Sequence, residues 1–511
     1  MLPLSTLLCL LASPQAPAPQ AYTVDVTQGD DLFHVTYRPG PLTGEDTNLD
    51  FVAFAPGMHS VLHFGRFVQE LTVLDADGEE LVAERDGTDR WVLAEPERVD
   101  RIVYTIEDTF DTDIDEYRIL PAGGTAIEDD HVLLNTFGVL AYFDRLLSEP
   151  VELTVHHDPS WLAGTALKRG KDGVFRADSW RELVDAPILM GELTTTGIFV
   201  GDIEVEIFVW SPDESLDAEQ VLYTTGENLE ACGAYLGFAP VDRYAFLFLF
   251  PDLRNPGKNR FRSFGALEHT TSSVYTLPAA AQSLESIAPV IAHEFMHVLS
   301  PLHLRSTIIA EFDYSIPTTD DHLWLYEGVT EWSAHILRLR AGVTELDDFL
   351  GEMRQKMTLS RRMFREDFSL ARLSREWHTD EGLREYQNIY QKGALTALCL
   401  DLLILERTGG ERGLREVFVD LVHRYGRPKP FDNDTFLEEF VKASHPDVAE
   451  FFERHVTGTE PLPYFELFEA VGIQFDDGVT SSSGRPQFTV WDDCSEEQLA
   501  LRDVWLTNRE G

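Results

Sequence analysis

The sequence predicts an α+β protein of several domains, in which a β-sandwich comes first, a mixed α/β domain follows and a helical domain comes last. Three observations support this fold class. The chain of 511 residues is too long to form a single hydrophobic core. Up to about residue 180, short runs of alternating apolar and polar residues lie between Gly, Asp and Pro turns, as β-strands do. From residue 283 onward, helical periodicity dominates.

The N-terminal domain is predicted to span 22–180. Its expected strands are YTVDV, LFHVTYR, ELTVLDA, DRIVYTIED and PVELTVHHD. Antiparallel strands that bury one face alternate in this way, and two such sheets packed face to face form a sandwich. We therefore expect a β-sandwich of short strands in this part of the chain.

The second domain, 181–345, mixes strands at GDIEVEIFVW and YAFLFLF with a helix at SLDAEQVLYTTGENLEACGAYLG. A helical domain, 346–478, follows, with helices at ELDDFLGEMRQKM, around Tyr390, at GLREVFVDLVHRYG and at NDTFLEEFVKAS. The last 33 residues, 479–511, are fewer than the about 40 that usually fold alone. We expect them to form an irregular tail packed on the helices.

A signal peptide is predicted for residues 1–21. Leu4 to Ala12 form an apolar run that is too short to span a membrane, and a stretch rich in small residues and proline follows it. No Lys or Arg precedes the run, which departs from the usual pattern. We therefore expect an exported protein, periplasmic or extracellular, without stable membrane insertion.

The composition is strongly acidic. The chain has 41 Lys and Arg residues against 88 Asp and Glu residues, which gives a formal net charge of −47. Nucleic acids and anionic membranes bind basic surfaces, so this charge argues against both as partners.

Cysteines do not form a disulfide framework here. Cys399 lies in an apolar helix and is expected to be a buried thiol, whereas Cys232 and Cys494 could pair.

The segment IAHEFMHVLS contains His293, Glu294 and His297 in the pattern H-E-x-x-H. Ser286 is a candidate N-cap of a helix here, with Pro289 in the first turn, where its missing N–H does no harm. On a helix the two histidines lie one turn apart on one face, which suits two ligands of one zinc ion. Glu294 lies beside them, where it can reach a zinc-bound water. The alternative is a buried helix whose two histidines only pack.

A catalytic zinc site needs a third protein ligand and one open position. The segment 320–342 reads as a helix with Glu327 among apolar residues, and a buried carboxylate requires a partner such as zinc. Glu331 lies one helical turn further on and could accept a hydrogen bond from a ligand histidine. The alternative for Glu327 is an exposed helical glutamate. His269 and His335 lack ligand spacing and are expected to be surface or packing residues.

The pattern H-E-x-x-H, followed after about thirty residues by LWLYEGVTEW, resembles the gluzincin metallopeptidases and, among them, the glycyl aminopeptidase family. FGALEHTTSSV (264–274) resembles the family's G-G-L-E-H segment, and IYQKGALTALCLDLLILERTGG (389–410) resembles its Y-x-K-G helix. FAPGMHS, DGEEL and DRWVL are similar to its N-terminal domain. The resemblance implies a thermolysin-like fold for the second domain. Relatives often carry a PDZ domain, which we do not expect here.

The resemblance also implies a role for each matched residue. His293, His297 and Glu327 would bind one zinc ion per chain, and Glu294 would take a proton from water and pass it to the leaving amine. Tyr390 would donate a hydrogen bond to the tetrahedral oxyanion, although a packing tyrosine is the alternative. Glu268 would bind the α-amine of the substrate, and its alternative is a loop glutamate.

The function that follows is a zinc-dependent aminopeptidase that acts on peptides and, by the family resemblance, prefers small first residues such as Gly or Ala. A zinc endopeptidase of the same fold is one alternative. A peptide-binding protein on a metallopeptidase scaffold is another, although such a protein has no need of Glu294. In gluzincins a strand beside the zinc helix pairs with the substrate backbone, and YAFLFLF or SSVYTL is expected to be that edge. The oligomeric state stays open.

Overall fold

A computed structural model gives the fold of most of the chain. The segment predicted as a signal peptide lies almost wholly outside the described residues. None of the helices within the described ranges is long and apolar enough to cross a membrane. The described residues are 19–110, 112, 117–212, 216–251, 265–277, 281–479 and 484–508, without the side chains of 281–286.

Short strands dominate the N-terminal region, as the alternating pattern predicts. In the strand Leu32–Arg38, for example, every second side chain is buried. The strands are β1 (Gln20–Asp25), β2 (Leu32–Arg38), β3 (Asn48–Asp50), β4 (Val68–Asp75), β5 (Glu80–Leu81), β6 (Ala83–Asp86), β7 (Arg90–Leu93), β8 (Val99–Glu107), β9 (Ala126–Ile127), β10 (His131–Leu134), β11 (Val151–His156), β12 (Leu162–Gly164), β13 (Lys168–Arg169), β14 (Phe175–Ala177) and β15 (Ile188–Gly191).

These strands pair into separate sheets. The largest has the order β13-β14-β11-β1-β2-β8-β4-β5, a second has the order β12-β15-β10-β9 and a third has the order β3-β7-β6. A short helix, α1 (Trp180–Val184), leads to β15, and Trp180 is fully buried. The sheet-rich N-terminal region is therefore confirmed, and its predicted boundary at residue 180 stays a prediction.

A mixed sheet follows, with the order β16-β17-β18-β20-β19. Its strands β17, β18 and β20 run parallel, whereas β19 is antiparallel to β20. The elements of this region are β16 (Thr194–Val200), β17 (Ile203–Trp210), α2 (Ala218–Leu236), β18 (Arg243–Leu249), β19 (Gly265–His269), β20 (Ser272–Thr276) and α3 (Ala281–Met296).

Both predictions for the substrate-pairing edge are wrong. YAFLFLF forms β18 in the middle of the sheet, and SSVYT forms β20, which lies between β18 and β19. A strand that is apolar throughout needs neighbours on both sides and cover on both faces, so it belongs in the centre. Among the described residues, the edge beside α3 is β19, which carries GALEH.

The helix that carries the H-E-x-x-H motif begins earlier than predicted. It spans Ala281–Met296, so Ser286 is not its N-cap and Pro289 lies inside it. Residues 281–285 include Ala, Gln, Leu and Glu, which have high helix propensity and favour the earlier start. His297 follows directly in a turn. His293 and His297 nevertheless stay one turn apart, as the spacing requires.

The predicted helix in 320–342 is present but opens with an unusual turn. After α4 (Thr307–Ala310), a π-helical turn covers Trp324–Val329 and leads into α5 (Thr330–Arg340). Such turns occur often at functional sites. A Cβ atom on Gly328 would lie 2.6 Å from the Cα atom of Gly393, so glycine lets the Glu327 turn approach the Tyr390 helix closely.

The C-terminal half is helical, as predicted. Its helices surround a buried central helix, α9, in which Leu395 to Leu402 are entirely enclosed. The elements are α6 (Leu346–Met363), α7 (Leu370–Glu376), α8 (Asp380–Glu385), α9 (Asn388–Arg407), α10 (Leu414–Tyr425), α11 (Phe436–Ala443), α12 (Val448–Phe451), α13 (Tyr464–Ala470), β21 (Ile473–Asp476), β22 (Gln487–Val490) and α14 (Glu496–Trp505).

The prediction of an irregular tail is wrong. Strand β22 pairs with β21, and α14 begins with a capping box formed by Ser495 and Gln498. Trp505 at the end of α14 is fully buried and meets Phe349 with ring centroids 5.8 Å apart. The tail is ordered because these short elements bury their apolar side chains on the helical region rather than on one another.

The cysteines outside the predicted signal peptide are unpaired. Cys232 and Cys399 are buried and Cys494 is half-buried, and all three are free thiols. Burial raises the pKa of Cys399 well above its usual range, so the thiol stays protonated and unreactive. The expected inert thiol at Cys399 is present, whereas Cys232 and Cys494 do not form a disulfide.

Candidate active site

Three side chains converge where α3 meets the Glu327 turn. Nε2 of His293 lies 3.2 Å from Nε2 of His297. Oε2 of Glu327 lies 3.4 Å from the first nitrogen and 3.7 Å from the second. All three residues are buried, and their ligand atoms lie within 4.8 Å of one another. The three predicted metal ligands therefore come together as one group.

The donor set of this group fits a metal cation. Nδ1 of His293 lies 2.8 Å from Oε2 of Glu331, and Nδ1 of His297 lies 2.9 Å from the carbonyl oxygen of Ser300. Both partners accept hydrogen bonds, so both Nδ1 atoms carry a proton, and in the neutral rings both Nε2 atoms present lone pairs. These lone pairs face each other and the carboxylate of Glu327, an arrangement that a bound cation stabilises. Two imidazoles and one carboxylate are a ligand set of catalytic zinc.

Glu331 is itself held from two sides. Lys356 forms an ion pair with its Oε1 atom, and Nε2 of His335 lies 3.3 Å from the same oxygen. Burial acts to raise the pKa of Glu331, but its hydrogen bonds to His293 and His335 and the charge of Lys356 bring it well below its usual range. Glu331 is therefore a charged acceptor for His293, in the position expected for it. His335 supports this carboxylate and is not merely a packing residue.

His59 in the N-terminal region also belongs to the site, although no spacing pattern in the sequence connects it with the three ligands. Nε2 of His59 lies 3.2 Å from Oε1 of Glu327, the oxygen that faces away from the two ligand histidines. The His59 ring also contacts Trp377 and Tyr386, with centroid separations of 5.4 and 5.3 Å. Its backbone has a φ of 42°, a strained value for a residue other than glycine. His59 thus orients the ligand carboxylate.

Glu294 lies beside the three ligands and faces β19. Its Oε2 atom accepts a hydrogen bond of 3.2 Å from the backbone N–H of Glu268. Burial, together with the nearby carboxylates of Glu327 and Glu331, raises the pKa of Glu294 to about 7, although His293 acts to lower it. A carboxyl group with this pKa can both accept and release a proton near neutral pH.

Tyr390 lies over the ligand histidines from α9. Its ring centroid is 5.8 Å from that of His293, and its hydroxyl lies 3.0 Å from the hydroxyl of Tyr386. Burial and the charge of Glu327 raise the pKa of Tyr390 well above its usual range, so the hydroxyl keeps its proton as a donor. Tyr386, which the sequence analysis did not single out, is the partner that orients this hydroxyl.

Glu268 on the edge strand β19 points its carboxylate toward the same centre. One of its oxygens lies within 4.8 Å of ligand atoms of Glu294 and His297. Burial and the carboxylates of Glu327 and Glu294 raise the pKa of Glu268 well above its usual range. A carboxylate in this environment gains most from a cationic partner, because no cationic side chain among the described residues pairs with it.

The loop around Gly57 packs directly on Glu268. A Cβ atom at Gly57 would lie 2.7 Å from each carboxylate oxygen of Glu268, and the φ of Gly57 is +74°. Only glycine satisfies both conditions. The N-terminal region therefore contributes two contacts to the site, one from Gly57 to Glu268 and one from His59 to Glu327.

A cavity of about 60 Å³ opens between these two carboxylates. Most of its wall is apolar, and its charged or titratable groups include Glu268, Glu327, Asp320 and His59. The apolar lining includes Phe54, Ile309, Phe312, Leu323 and Trp377. A small group with a cationic end therefore fits this cavity beside the candidate metal centre.

Comparisons with known proteins agree with this geometry. Residues 21–192 match the Peptidase M61 N-terminal domain, and residues 286–396 match the M61 glycyl aminopeptidase domain. Together the two ranges cover more than half of the chain. The second range includes the H-E-x-x-H motif, Glu327 and Tyr390. No curated protein matches the chain.

Solved structures share the fold. An aminopeptidase N family protein from Idiomarina loihiensis has a TM-score of 0.76 at 20% identity, over 89% of this chain and 79% of that one. An M1 zinc metallopeptidase from Deinococcus radiodurans has a TM-score of 0.51 at 15% identity, over 88% and 96% of the two chains. A mutant of that enzyme bound to a Tyr-Ser-Ala substrate has a TM-score of 0.50 at 14% identity, over 87% and 94%. The two domain matches carry the assignment: the chain belongs to the M61 glycyl aminopeptidase family and is a metallopeptidase of the aminopeptidase type.

Proposed function

We propose that this protein is a zinc-dependent aminopeptidase that removes the first residue of peptides. The observation that carries the proposal is the position of Glu268, whose carboxylate lies in one group with Glu294 and His297 beside the three candidate ligands. A carboxylate at this distance can hold the α-amine of a peptide while the first peptide bond lies at the metal centre. The α-amine has a pKa near 8, so it is mostly cationic at neutral pH.

His293, His297 and Glu327 would hold the zinc ion, and the edge strand β19 beside α3 supports the thermolysin-like arrangement. When bound, zinc supplies a Lewis acid that polarises the carbonyl and lowers the pKa of a water molecule to about 7. Glu294 takes a proton as the water oxygen adds to the carbonyl carbon. It passes that proton to the nitrogen as the C–N bond breaks. Tyr390 donates a hydrogen bond to the oxyanion.

Cleavage of single residues follows from the way the N-terminal region meets the site. The loop that carries Gly57 and His59 packs on Glu268 and Glu327 and forms part of the cavity wall. A peptide chain that continued past Glu268 would meet this loop. An endopeptidase must accept chain on both sides of the cleaved bond, so this contact favours the aminopeptidase.

A preference for small first residues is part of the proposal. A cavity of about 60 Å³ has room for roughly four to six water-sized groups. In a space of this size only a small side chain fits, such as the hydrogen atom of Gly or the methyl group of Ala. The apolar wall favours a methyl group over a polar one. Gly and Ala at the first position are therefore the expected substrates, in agreement with the family resemblance.

Hydrolysis of matched peptides tests the proposal. We expect Ala-headed and Gly-headed tripeptides to be cleaved, and their N-acetyl forms to be cleaved at least ~10²-fold more slowly, which is roughly 2.7 kcal/mol of transition-state binding. A chelator should abolish the activity, and added zinc should restore it. Equal rates on free and acetylated peptides would leave a zinc endopeptidase. Loss of zinc without loss of activity would contradict the metal assignment.

We also propose that the protein is exported. The apolar run Leu4 to Ala12 and the proline-rich stretch after it support a cleaved signal peptide. Expression of the full chain in a bacterial host, followed by fractionation and mass measurement, tests this. The expected product is an exported protein that has lost about its first 21 residues, and an intact chain in the cytoplasm contradicts export.

A further inference from the structure

A second cavity, of about 90 Å³, lies next to the one described above. The two cavities share part of their walls, including Glu268, so the second begins beside the proposed amine anchor. His269, which follows Glu268 in β19, lines only the second cavity. The residues common to both walls are Pro56, Glu268, Pro301, Ile309 and Phe312.

Three arginines from separate parts of the chain line the second cavity. Arg181 lies in α1, Arg305 precedes α4 and Arg427 follows α10. Among the described residues, the carboxylates in the wall are Glu268 and Asp185. In a protein with 88 acidic and 41 basic residues, such a local excess of guanidinium groups is unusual.

Two of these guanidinium groups lack a directly bonded anionic partner within the described residues. Arg305 and Arg427 form no ion pair and no side-chain hydrogen bond with any residue in the described part of the chain, and Nε of Arg305 is buried without an acceptor. Burial and the like charge of Arg427 lower the pKa of Arg305. Arg181 differs, because it donates a hydrogen bond of 2.7 Å to the carbonyl oxygen of Phe312.

Asp185 does not neutralise this pair. Its carboxylate lies 3.3 Å from Nδ1 of His269 and accepts a hydrogen bond of 3.1 Å from the backbone N–H of Thr270. Burial acts to raise the pKa of Asp185, but His269 and Arg427 bring it below its usual range, so it stays charged. Even with Asp185 counted, a half-buried guanidinium is left that gains from an added anion.

The position of the cavity indicates which part of a peptide can reach it. With the α-amine at Glu268 and the first carbonyl at the metal centre, the remainder of the chain leaves on the far side of the cleaved bond. The side chain of the first residue starts beside Glu268, in the wall that both cavities share. At about 90 Å³ this cavity is larger than the first and adjoins it, so a side chain longer than that of Ala has space to enter.

We infer that Arg305 and Arg427 form a carboxylate-binding subsite for the side chain of an N-terminal Glu or Asp, so that acidic first residues form a second substrate class beside Gly and Ala. This inference rests on the proposed aminopeptidase function. The net charge of −47 disfavours the approach of anions, so the selectivity must come from these local contacts and not from the overall field.

Matched C-terminally amidated peptides test the inference. Glu-Ala-Ala-amide and Gln-Ala-Ala-amide differ in one group, and Ala-Ala-Ala-amide reports the underlying activity. We expect kcat/KM for the Glu peptide to exceed that for the Gln peptide by about 10- to 100-fold, the usual effect of hydrogen bonds to a charged group. Equal values for the Glu and Gln peptides, in an enzyme that cleaves the Ala peptide, would overturn the inference and leave the proposed function intact. Failure to cleave any of the three with zinc present would instead remove the proposed function.

Variants locate the effect. Arg305→Gln and Arg427→Gln should bring the ratio of Glu to Gln rates toward one while the rate on the Ala peptide falls far less. Arg454→Gln makes the same charge change at an exposed site that is paired with Glu450 and Glu460, and it should keep the ratio. If both cavity variants retain the full ratio, the arginines do not form the subsite.

Two further measurements complete the test. The rate on Ala-Ala-Ala with a free C-terminus, compared with the rate on its amide, shows whether the arginines bind the terminal carboxylate instead. If the free acid is cleaved faster than the amide, and if the two cavity variants lose this difference, the side-chain assignment is overturned.

Inhibition of the unmodified enzyme by free glutamate and by free glutamine needs no variant to fold. We expect the inhibition constant of glutamate to be about tenfold lower or more, and equal constants would count against the subsite.

Discussion

Nε2 of His59 lies 3.2 Å from Oε1 of Glu327, and this contact joins the N-terminal region to the metal centre. The other oxygen of Glu327 faces His293 and His297. Each candidate ligand is therefore oriented by a different partner: His293 by Glu331, His297 by the carbonyl of Ser300 and Glu327 by His59. Partners of this kind fix the ligand geometry and raise the affinity for the metal.

The first prediction concerns His59 as a positioning residue. His59→Ala should weaken zinc binding by about 10- to 100-fold, the usual cost of losing such a partner, and lower activity at limiting zinc. Competition with a chelator of known affinity measures this change. His59→Gln keeps a side-chain donor and should recover part of the affinity. His156→Ala, at an exposed histidine, should have no effect. Unchanged zinc affinity in His59→Ala would show that the contact with Glu327 plays no part in metal binding.

The second prediction separates ligands from the proton carrier. His293→Ala and Glu327→Ala should lose bound zinc and activity together, because each removes one of three ligands. Glu294→Gln should keep the zinc but lose turnover, since the amide cannot carry the proton. Elemental analysis of the purified variants gives the zinc content. Full zinc occupancy in both ligand variants would contradict the ligand assignment, and near-normal turnover in Glu294→Gln would contradict the role of Glu294.

The residues of the metal centre were predictable because their chemistry demands fixed spacing along helices. Two ligands one turn apart, with a glutamate beside the first, appear in the sequence as H-E-x-x-H, and Glu331 follows Glu327 by one turn for the same reason. His59 obeys no such rule. It lies more than 200 residues from the motif, and only the packing of two regions brings it to Glu327.

The errors about the fold have a similar origin. The family resemblance implies an edge strand beside the zinc helix but does not say whether YAFLFLF or SSVYTL forms it, and β propensity does not reveal which strands lie beside a given strand. The real edge, GALEH, is short and half polar, as an edge strand can be. The tail after Gly478 was predicted to be irregular because it cannot fold alone, yet it needs only a surface on which to bury Trp505.

The third prediction concerns the oxyanion. Tyr390→Phe removes one hydroxyl and almost no volume. If that hydroxyl stabilises the transition state, kcat should fall by ~10²–10³-fold with little change in KM. The melting temperature should change little, because the ring stays packed and the variant loses only the hydrogen bond to the hydroxyl of Tyr386. Unchanged kcat with a lowered melting temperature would assign Tyr390 a packing role only.

Tyr386→Phe is the matched variant for this experiment. It keeps the ring that packs against His59 and removes only the hydroxyl that lies 3.0 Å from that of Tyr390. Because it acts through Tyr390, its effect on kcat should be smaller than that of Tyr390→Phe. The double variant should be no slower than Tyr390→Phe alone. Additive losses would mean that the two hydroxyls act independently.

The last prediction uses two glycines with the same backbone conformation. Gly57 has a φ of +74° and Gly29 has a φ of +73°, so an alanine at either position meets a similar backbone strain, about 1 kcal/mol. Their surroundings differ. A Cβ atom at Gly29 has nothing within 4 Å, whereas one at Gly57 would lie 2.7 Å from both carboxylate oxygens of Glu268.

Gly57→Ala should therefore displace the carboxylate of Glu268, and Gly29→Ala should not. We expect Gly57→Ala to lower kcat/KM on free-amine peptides by at least about tenfold, as the loss of a charged contact does, while its rate on N-acetyl peptides stays near that of the unmodified enzyme. Gly29→Ala should keep the full activity, and its melting temperature should be similar to that of Gly57→Ala. The backbone strain is common to both variants, so the comparison reports the contacts of the added Cβ atom at Gly57, which meets Cδ1 of Leu267 at 2.8 Å as well as the carboxylate of Glu268. Equal activity in the two variants would show that Glu268 does not need its present position, and the proposed amine anchor would have to be sought elsewhere in the cavity.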